Sequence, residues 1–239
     1  MHSPDVASVV AAALSSRANG DDLHRAAEVV SSLADPAKLL ETIDVIRNDS
    51  AAVQRCAALS GRHPLGHDKV TLIDMYPAFR LRIHAWWPNR RPGVEHIHHH
   101  RFDLATVIVR GHYEMEIYQR APSGIQMIEY RQNSSAADQE WYLDSAGVAY
   151  LRLLAAAKMT TGAGYTMTAD ALHRVIVPED TLCLTLFLAV LASADLSADT
   201  RVFAPLEGAA PTLSKSVPLT ADNYRRLLDA ISAELIRSD

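Results

Sequence analysis

The chain has 239 residues, of which 49% are hydrophobic and 21% are charged, and its formal net charge is −5 at pH 7. This composition is typical of a globular protein, and the acidic balance without a basic stripe argues against nucleic acid as a partner. The most apolar stretch, residues 181–192, is too short to cross a bilayer, so no membrane partner is expected.

The N-terminal segment is alanine-rich and carries apolar side chains at helical spacing. Asn19-Gly20 is expected to end a first helix. Asp35-Pro36 is expected to begin a third, because proline suits the first helical turn. A fourth short helix is predicted over residues 50–59. We therefore expect residues 1–60 to form a helical segment that packs on the domain following it.

After Gly61 the sequence changes to short β-branched and aromatic runs that are separated by turn signals. Strands are predicted over residues 70–75, 79–87, 106–119, 125–131, 149–154, 164–167, 173–177 and 181–190. Many short strands without long helices between them favour a closed β-barrel or a jelly roll. The expected fold class is an all-β core over residues 61–206, followed by an extension and a C-terminal helix over residues 207–239, with Thr220 as the helix cap.

Cysteine usage and the N-terminus bear on the compartment. Cys56 and Cys183 lie far apart and outside any CxxC pair, so a disulfide framework is not expected. No basic segment precedes the early apolar run, which Asp5 interrupts, so a secretory signal is not expected. Both features favour a cytoplasmic location.

Histidine is the anomaly of the composition, because four of the 11 histidines fall within residues 95–101. Side chains on a strand alternate between its faces, so His96, His98 and His100 share one face, and two of them at i, i+2 can chelate one metal ion. His173, which follows a turn and begins a β-branched run, is the best third ligand. Neutral imidazole suits Fe, Zn, Cu or Ni. Three other histidines are interpreted as surface or hydrogen-bonded core residues: His24, His63 and His67.

The histidine segment resembles the first cupin motif, G(x)5HxH(x)3–4E(x)6G. With Gly111 as the closing glycine, the two metal ligands of the motif fall on His98 and His100 rather than on His96. The second cupin motif, G(x)5PxG(x)2H(x)3N, puts its histidine on His173 when Gly162 opens it. The resemblance implies a cupin-type barrel with one metal bound by His98, His100 and His173.

The glutamate of the first motif falls on Leu104, and loss of that carboxylate resembles the three-histidine cupins, especially the cysteine dioxygenase-like non-haem iron enzymes. Residues 79–86 resemble the strand before the metal pair in that family. The segment 97–100 resembles its Ile-His-Asp-His, and residues 172–175 match its Leu-His-Arg-Val. The resemblance implies Fe(II) as the cofactor, with Zn, Ni or Mn as alternatives.

Substrate residues of that family are replaced in this chain. No arginine aligns at Lys69-Val70-Thr71, where the family binds the substrate carboxylate. The catalytic tyrosine of the family falls on Phe187, and the histidine two residues before it falls on Thr185. The metal scaffold is therefore expected without the cysteine chemistry, and cysteine itself is not the expected substrate.

Strand alternation predicts which residues take the place of the family's substrate-binding residues. By the resemblance, Arg82, His84 and Trp86 look into the barrel, with Thr185 and Phe187 on the last core strand. A cationic face turned inward is costly unless something pairs with it, so an anionic substrate is expected, with Arg82 as a bidentate clamp. The alternative is that this face looks toward solvent.

The function expected is a mononuclear non-haem iron oxygenase that acts on a small, polar, anionic or amino-acid-like metabolite, with O2 as the second substrate. One alternative is a Zn-type lyase or isomerase, in which Tyr113 or Tyr165 serves as the acid or base. Both tyrosines are otherwise interpreted as strand packing. A third alternative is a non-catalytic cupin that binds a small ligand, and a homodimer is left open. Asp103 is expected to accept a hydrogen bond from a metal-bound imidazole or to pair with Arg101.

Overall fold

The structure is a computed structural model that describes residues 6–15, 22–63, 65–90, 95–134, 141–191, 200–207 and 217–237. The expected helix end at Asn19-Gly20 lies outside these residues. The helices are α1 (Val6–Ser15), α2 (Asp22–Leu33), α3 (Pro36–Asn48), α4 (Ser50–Ala58) and α5 (Ala221–Ile236). None of the helices in the described ranges is long and apolar enough to cross a membrane.

Helix starts follow the capping signals of the sequence. The Asp35 side chain accepts a hydrogen bond from the Lys38 N–H at 3.2 Å, and Pro36 occupies the first turn of α3. At the other end of the chain, Thr220 accepts from the Asn223 N–H at 3.2 Å and caps α5. Both starts are confirmed, because each side chain satisfies an N–H that the first turn cannot pair internally.

Eleven strands are found within the described residues: β1 (Gly61–Arg62), β2 (Asp68–Met75), β3 (Phe79–Trp86), β4 (Ile97–His98), β5 (Asp103–Arg110), β6 (His112–Ser134), β7 (Trp141–Thr160), β8 (Gly164–Met167), β9 (Leu172–Ile176), β10 (Cys183–Val190) and β11 (Thr200–Pro205). One antiparallel sheet has six strands in the order β1-β2-β3-β10-β5-β8. The other has five in the order β11-β4-β9-β6-β7, with β11 also pairing β6.

Several strand predictions were wrong in their limits. The single strand predicted over residues 106–119 is two strands, β5 and β6, separated at Gly111, whose φ of 82° is a left-handed conformation. The predicted segment 125–131 is part of the second half of β6, and 149–154 is the middle of β7; the two strands pair along almost their whole length. The histidine segment is a strand only at Ile97–His98, and β1 and β11 were not predicted.

The two faces of the six-stranded sheet have different partners. Phe79, Leu81 and Ile83 alternate along β3 into a buried cluster that also contains side chains of α2, α3, α4 and α5. The opposite face of this sheet contributes Trp86, Cys183 and Phe187 to a second cluster, the inter-sheet core, which they share with side chains of β6 and β9 in the other sheet. Both cysteines are buried and free of disulfides.

The predicted fold class is confirmed: the core is β-structure in two antiparallel sheets, with helices before and after it in the chain. Helical periodicity and β-branched runs are local features of the sequence, which is why the class could be predicted from them. The limits proposed for the three segments, 1–60, 61–206 and 207–239, remain a prediction.

Candidate metal centre

Three histidines converge at one end of the five-stranded sheet. His98 on β4 and His173 on β9 are register partners, and His100 follows two residues after His98. Each offers one ring nitrogen, and these three nitrogens lie within 4.8 Å of one another. His98 and His173 are buried, whereas His100 is partly buried.

The ring orientation of two of these histidines is set by the backbone close to them in sequence. The Nδ1 atom of His98 lies 3.0 Å from the His96 carbonyl oxygen, and Nδ1 of His173 lies 3.1 Å from the Ala171 carbonyl oxygen. A carbonyl can only accept, so in both rings Nδ1 carries the proton and Nε2 is left with a free lone pair. This tautomer is the one that offers Nε2 to a metal.

Electrostatics favour the neutral form of all three rings. Burial is the main cause that lowers the pKa of His173 to about 4 and the pKa values of His98 and His100 well below the usual range. Neighbouring imidazoles lower the pKa values of His98 and His100 further. Neutral imidazole is the metal-binding form, so the donor set fits a divalent ion such as Fe(II) or Zn(II).

The turn before His173 is tied to the segment that carries the other two histidines. The Ala169 carbonyl oxygen accepts from the His100 N–H at 3.0 Å, and the Ala169 N–H donates to the Asp103 carboxylate at 2.8 Å. Asp103 had been expected to bind an imidazole or Arg101, and its hydrogen bond is instead to this turn. The carboxylate thereby helps to hold both parts of the histidine group in place.

The neighbouring histidine in the cluster points elsewhere. His99 Nε2 accepts the Arg201 N–H of β11 at 3.1 Å, and its Nδ1 lies 3.0 Å from the His100 carbonyl oxygen. His96 is also outside the group of three. The sequence therefore selected the three residues that the structure brings together.

The substrate residues predicted on the six-stranded sheet face this group across the inter-sheet core. The His84 and Phe187 rings stack with centroids 4.6 Å apart, and the centroid of the Phe187 ring lies 6.2 Å from that of the His100 ring. Trp86 is buried and Thr185 is the register partner of His84. The Arg82 guanidinium lies 5.9 Å from the centroid of the Phe102 ring.

Phe102 is a link between Arg82 and the histidines. Its ring stacks on His100 with centroids 5.3 Å apart, while Arg82 lies over the same ring. Arg82 is therefore on the inner face of β3, and the alternative in which it looks toward solvent is not the one found. Its Nε atom is buried and has no hydrogen-bond partner among the described residues.

Two histidines interpreted from sequence as ordinary surface or core residues belong to the same region. His67 stacks on His63 and on His84, with centroids 4.5 Å apart in each pair, and lies 4.8 Å from Trp86. Both sit in the loop before β2, and no spacing rule connects this loop with β3. Their proximity to His84 depends on tertiary structure, which explains why the sequence pattern missed it.

The two candidate acid or base residues form a buried pair. The Tyr113 hydroxyl donates to the Tyr165 hydroxyl at 2.9 Å, inside the inter-sheet core. Burial raises the pKa of Tyr113 well above 10 and also raises that of Tyr165, so both phenols are neutral. The structure thus brings together two residues that had been considered separately.

A carboxylate that the sequence analysis missed lies beside His98. Glu95 has a side chain that is 8% exposed, and its Oε1 atom lies 3.6 Å from His98 Nδ1. Burial raises the pKa of Glu95 well above its usual range, although a hydrogen bond from the Val175 backbone lowers it. When Glu95 is ionised, its charge raises the pKa values of Tyr113 and Tyr165 further. The only sequence signal was its position three residues before His98, which no motif required.

Comparisons with known proteins find solved structures that are similar to this chain at low sequence identity. Neither a protein-family model nor a curated protein sequence matches the chain. A DMSP lyase structure is 16% identical, with a TM-score of 0.33 over 56% of this chain and 51% of that one. Hydroquinone 1,2-dioxygenase, in complex with Cd²⁺ and 4-hydroxybenzonitrile, is 10% identical, with a TM-score of 0.33 over 53% of this chain and 65% of that one.

A cupin-like protein from Thermotoga maritima is 10% identical, with a TM-score of 0.32 over 67% of this chain and 83% of that one. The match spans about half the length of the DMSP lyase and just under two thirds of the dioxygenase. All three TM-scores are below 0.5, so these likenesses establish no activity for this chain. The resemblance to cysteine dioxygenase-like enzymes remains a prediction from the sequence.

Proposed function

We propose that this chain is a metal-dependent enzyme of the cupin type, namely a mononuclear non-haem iron oxygenase that acts on a small anionic metabolite. The observation that carries the proposal is the group of three neutral histidines, His98, His100 and His173. Fe(II) held by these residues would supply the chemistry that couples O2 with an organic substrate.

The chain's own residues have defined roles in this proposal. The carbonyl oxygens of His96 and Ala171 hold two of the ligand rings in the tautomer that presents Nε2. Arg82 binds the anionic group of the substrate, because a buried guanidinium with an unpartnered Nε gains most from an oxyanion partner. Trp86 and Phe187 exclude water from the space between Arg82 and the histidines.

A test compares the same metal-depleted protein after anaerobic loading with Fe(II) or Zn(II). Oxygen uptake is measured with a panel of small carboxylates, amino acid derivatives, sulfonates and phosphorylated metabolites, and nitric oxide binding to the Fe(II) form is followed by EPR. We expect substrate-dependent O2 uptake with iron alone. Absence of both the nitric oxide signal and O2 uptake would overturn the oxygenase proposal.

The alternative, a metal-dependent lyase or isomerase, is favoured by one observation, the buried Tyr113–Tyr165 pair with Glu95 acting on it. A hydrogen-bonded pair of neutral phenols can pass a proton to or from a reacting group, which oxygen activation does not require. Under this alternative, Zn(II) supports turnover without O2, and Tyr165→Phe abolishes it. Under the oxygenase proposal, Tyr165→Phe retains most of the O2 uptake.

A further inference from the structure

A set of five side chains, here named the cationic cluster, lies across the inter-sheet core from the metal centre. Its members are Lys69, Arg82, His63, His67 and His84. Lys69 on β2 is the register partner of His84 on β3. Arg82 lies two residues before His84 on β3, so the three side chains share one face of the sheet. The cluster therefore joins two strands and the loop before them into one surface that faces inward.

The cationic cluster carries two positive charges, on Lys69 and Arg82, that form no ion pair with a carboxylate in the described ranges. Arg80, the next cation on β3, is paired with Asp74 at 2.5 Å, so that pair is neutral. Among the residues that the structure describes, no carboxylate lies within ion-pair distance of Lys69 or Arg82. Burial, followed by the charge of Arg82, lowers the pKa of Lys69 to about 8, which leaves it protonated at neutral pH. Two partly buried cations that repel each other are less costly when an anionic ligand compensates them.

The imidazoles of the cluster offer neutral hydrogen-bonding groups to the same ligand. Burial lowers the pKa values of His67 and His84 well below their usual range. His67 is only 5% exposed, and its Nδ1 atom has no hydrogen-bond partner in the described part of the chain, as is the case for Arg82 Nε. A buried polar atom without a partner costs about 1–3 kcal/mol, so both atoms would gain from a ligand that offers hydrogen-bond partners.

We propose that the cationic cluster binds a doubly charged tetrahedral oxyanion, so that the substrate is a phosphate monoester or a phosphonate. This inference rests on the proposed function for the role of the bound molecule as substrate, but not for its binding. A phosphoryl group has about two charges at neutral pH and three acceptor oxygens. Its oxygens can accept two hydrogen bonds from the Arg82 guanidinium and one from an imidazole N–H, and they can form an ion pair with the Lys69 ammonium group. A carboxylate would leave one cation uncompensated.

The Phe102 ring contacts both Arg82 and the histidine group. It stacks on His100, and the Arg82 guanidinium lies over the same ring. We therefore expect a phosphoryl group bound at Arg82 to place the remainder of a small substrate near His100.

The experiment is a calorimetric titration of the full-length, metal-depleted protein at pH 7.5. The probes are methyl phosphate and methylphosphonate. The controls are dimethyl phosphate, a diester that shares the tetrahedral phosphorus but carries one charge, and acetate. We expect at least one of the two dianions to bind tenfold or more tightly than both controls. Equal binding of dianions and controls, or no binding of either dianion, overturns the proposal. Because no metal is present, failure of the iron proposal leaves this titration unaffected.

Variants separate a binding role from a structural one. Lys69→Met and Arg82→Met are each expected to weaken binding of the dianion at least tenfold, whereas Lys158→Met, on the exposed strand β7, leaves it unchanged. In the ligand-free protein Arg82→Met is expected to keep or raise the melting temperature, because it removes an uncompensated buried charge. A fall in melting temperature, or unchanged binding by Arg82→Met, contradicts the assignment.

Discussion

His98 and His173 are register partners on the adjacent antiparallel strands β4 and β9, and their ring centroids lie 4.6 Å apart. Residues directly opposite on neighbouring strands have their β-carbons within about 5.5 Å, so strand pairing alone brings the two rings together. His100 then needs to supply only the third nitrogen. The geometry of the histidine group is thus a consequence of sheet formation.

The first prediction concerns metal binding. His98→Ala, His100→Ala and His173→Ala are each expected to lower affinity for a divalent ion by more than about 100-fold, which exceeds the usual cost of losing an outer partner of a ligand. The control is His99→Gln, because the His99 nitrogens contact Arg201 and the His100 carbonyl rather than the group of three. The metal content of each variant and its metal affinity, obtained by competition titration with a chelator, are compared with those of the unaltered chain. Retention of metal by any of the three alanine variants counts against that residue as a ligand.

The second prediction concerns pH. Burial lowers the pKa of His63 to about 3, so the folded protein keeps this ring neutral while the unfolded chain takes up a proton below about pH 6.5. The unfolded state then binds more protons, and the free energy of unfolding falls as the pH falls from 6.5 toward 3. The slope is about 1.4 kcal/mol per pH unit for one such group.

The measurement is urea unfolding of the metal-free protein at pH 7.5 and pH 5.5. His63→Gln is expected to reduce the loss of stability between these two pH values by about 1 kcal/mol. His24→Gln serves as the matched control, because the side chain of His24 is 67% exposed. If both variants lose the same stability as the unaltered chain, His63 is not held neutral by burial.

The third prediction concerns the buried tyrosines. Tyr165→Phe leaves the Tyr113 hydroxyl without the acceptor that it has at 2.9 Å, which is expected to cost about 1–3 kcal/mol. Tyr113→Phe/Tyr165→Phe is expected to cost less than the two single changes together, by roughly 1 kcal/mol, because neither hydroxyl then remains buried alone. Urea unfolding of the four proteins gives this coupling energy. Strictly additive effects would show that the two hydroxyls do not interact.

The fourth prediction concerns the glycine between β5 and β6. Gly111 has a φ of 82°, and a Cβ there would collide with the Leu182 carbonyl oxygen. Gly162 has a φ of 86°, but a Cβ there would meet nothing within 4 Å. Gly162→Ala is therefore expected to lower the free energy of unfolding by about 1–2 kcal/mol, the cost of a left-handed conformation for alanine. Gly111→Ala is expected to lower it by at least about 2 kcal/mol more, because of the collision. Equal melting temperatures would mean that the backbone near Leu182 moves freely.

These residues show how far the sequence could predict the molecule. The helix starts at Pro36 and after Thr220 depend on caps within three residues, so they could be read directly. The three histidines were found because two share a local spacing and the third follows a turn. Gly111 entered the sequence analysis only as the closing glycine of the cupin motif. In the structure its backbone lies close to that of Leu182.

Other features depend on contacts that no local pattern contains. The extent of β6 and β7 is set by their pairing with each other, so local sequence patterns predicted two separate parts of β6 and only the middle of β7. Glu95 and His67 meet the site through tertiary packing. The proximity of the two cations Lys69 and Arg82 likewise depends on the pairing of β2 with β3.

The Ala169 backbone, which accepts from His100 and donates to Asp103, has a practical consequence for purification. Because hydrogen bonds hold this turn beside the histidines, the proposed site would accept whichever divalent ion the growth medium supplies. Copper and zinc outcompete iron at most nitrogen sites of this kind. The ion found in a purified sample would therefore depend on how the sample was prepared, and activity measured with each ion in turn would identify the cofactor of the proposed enzyme.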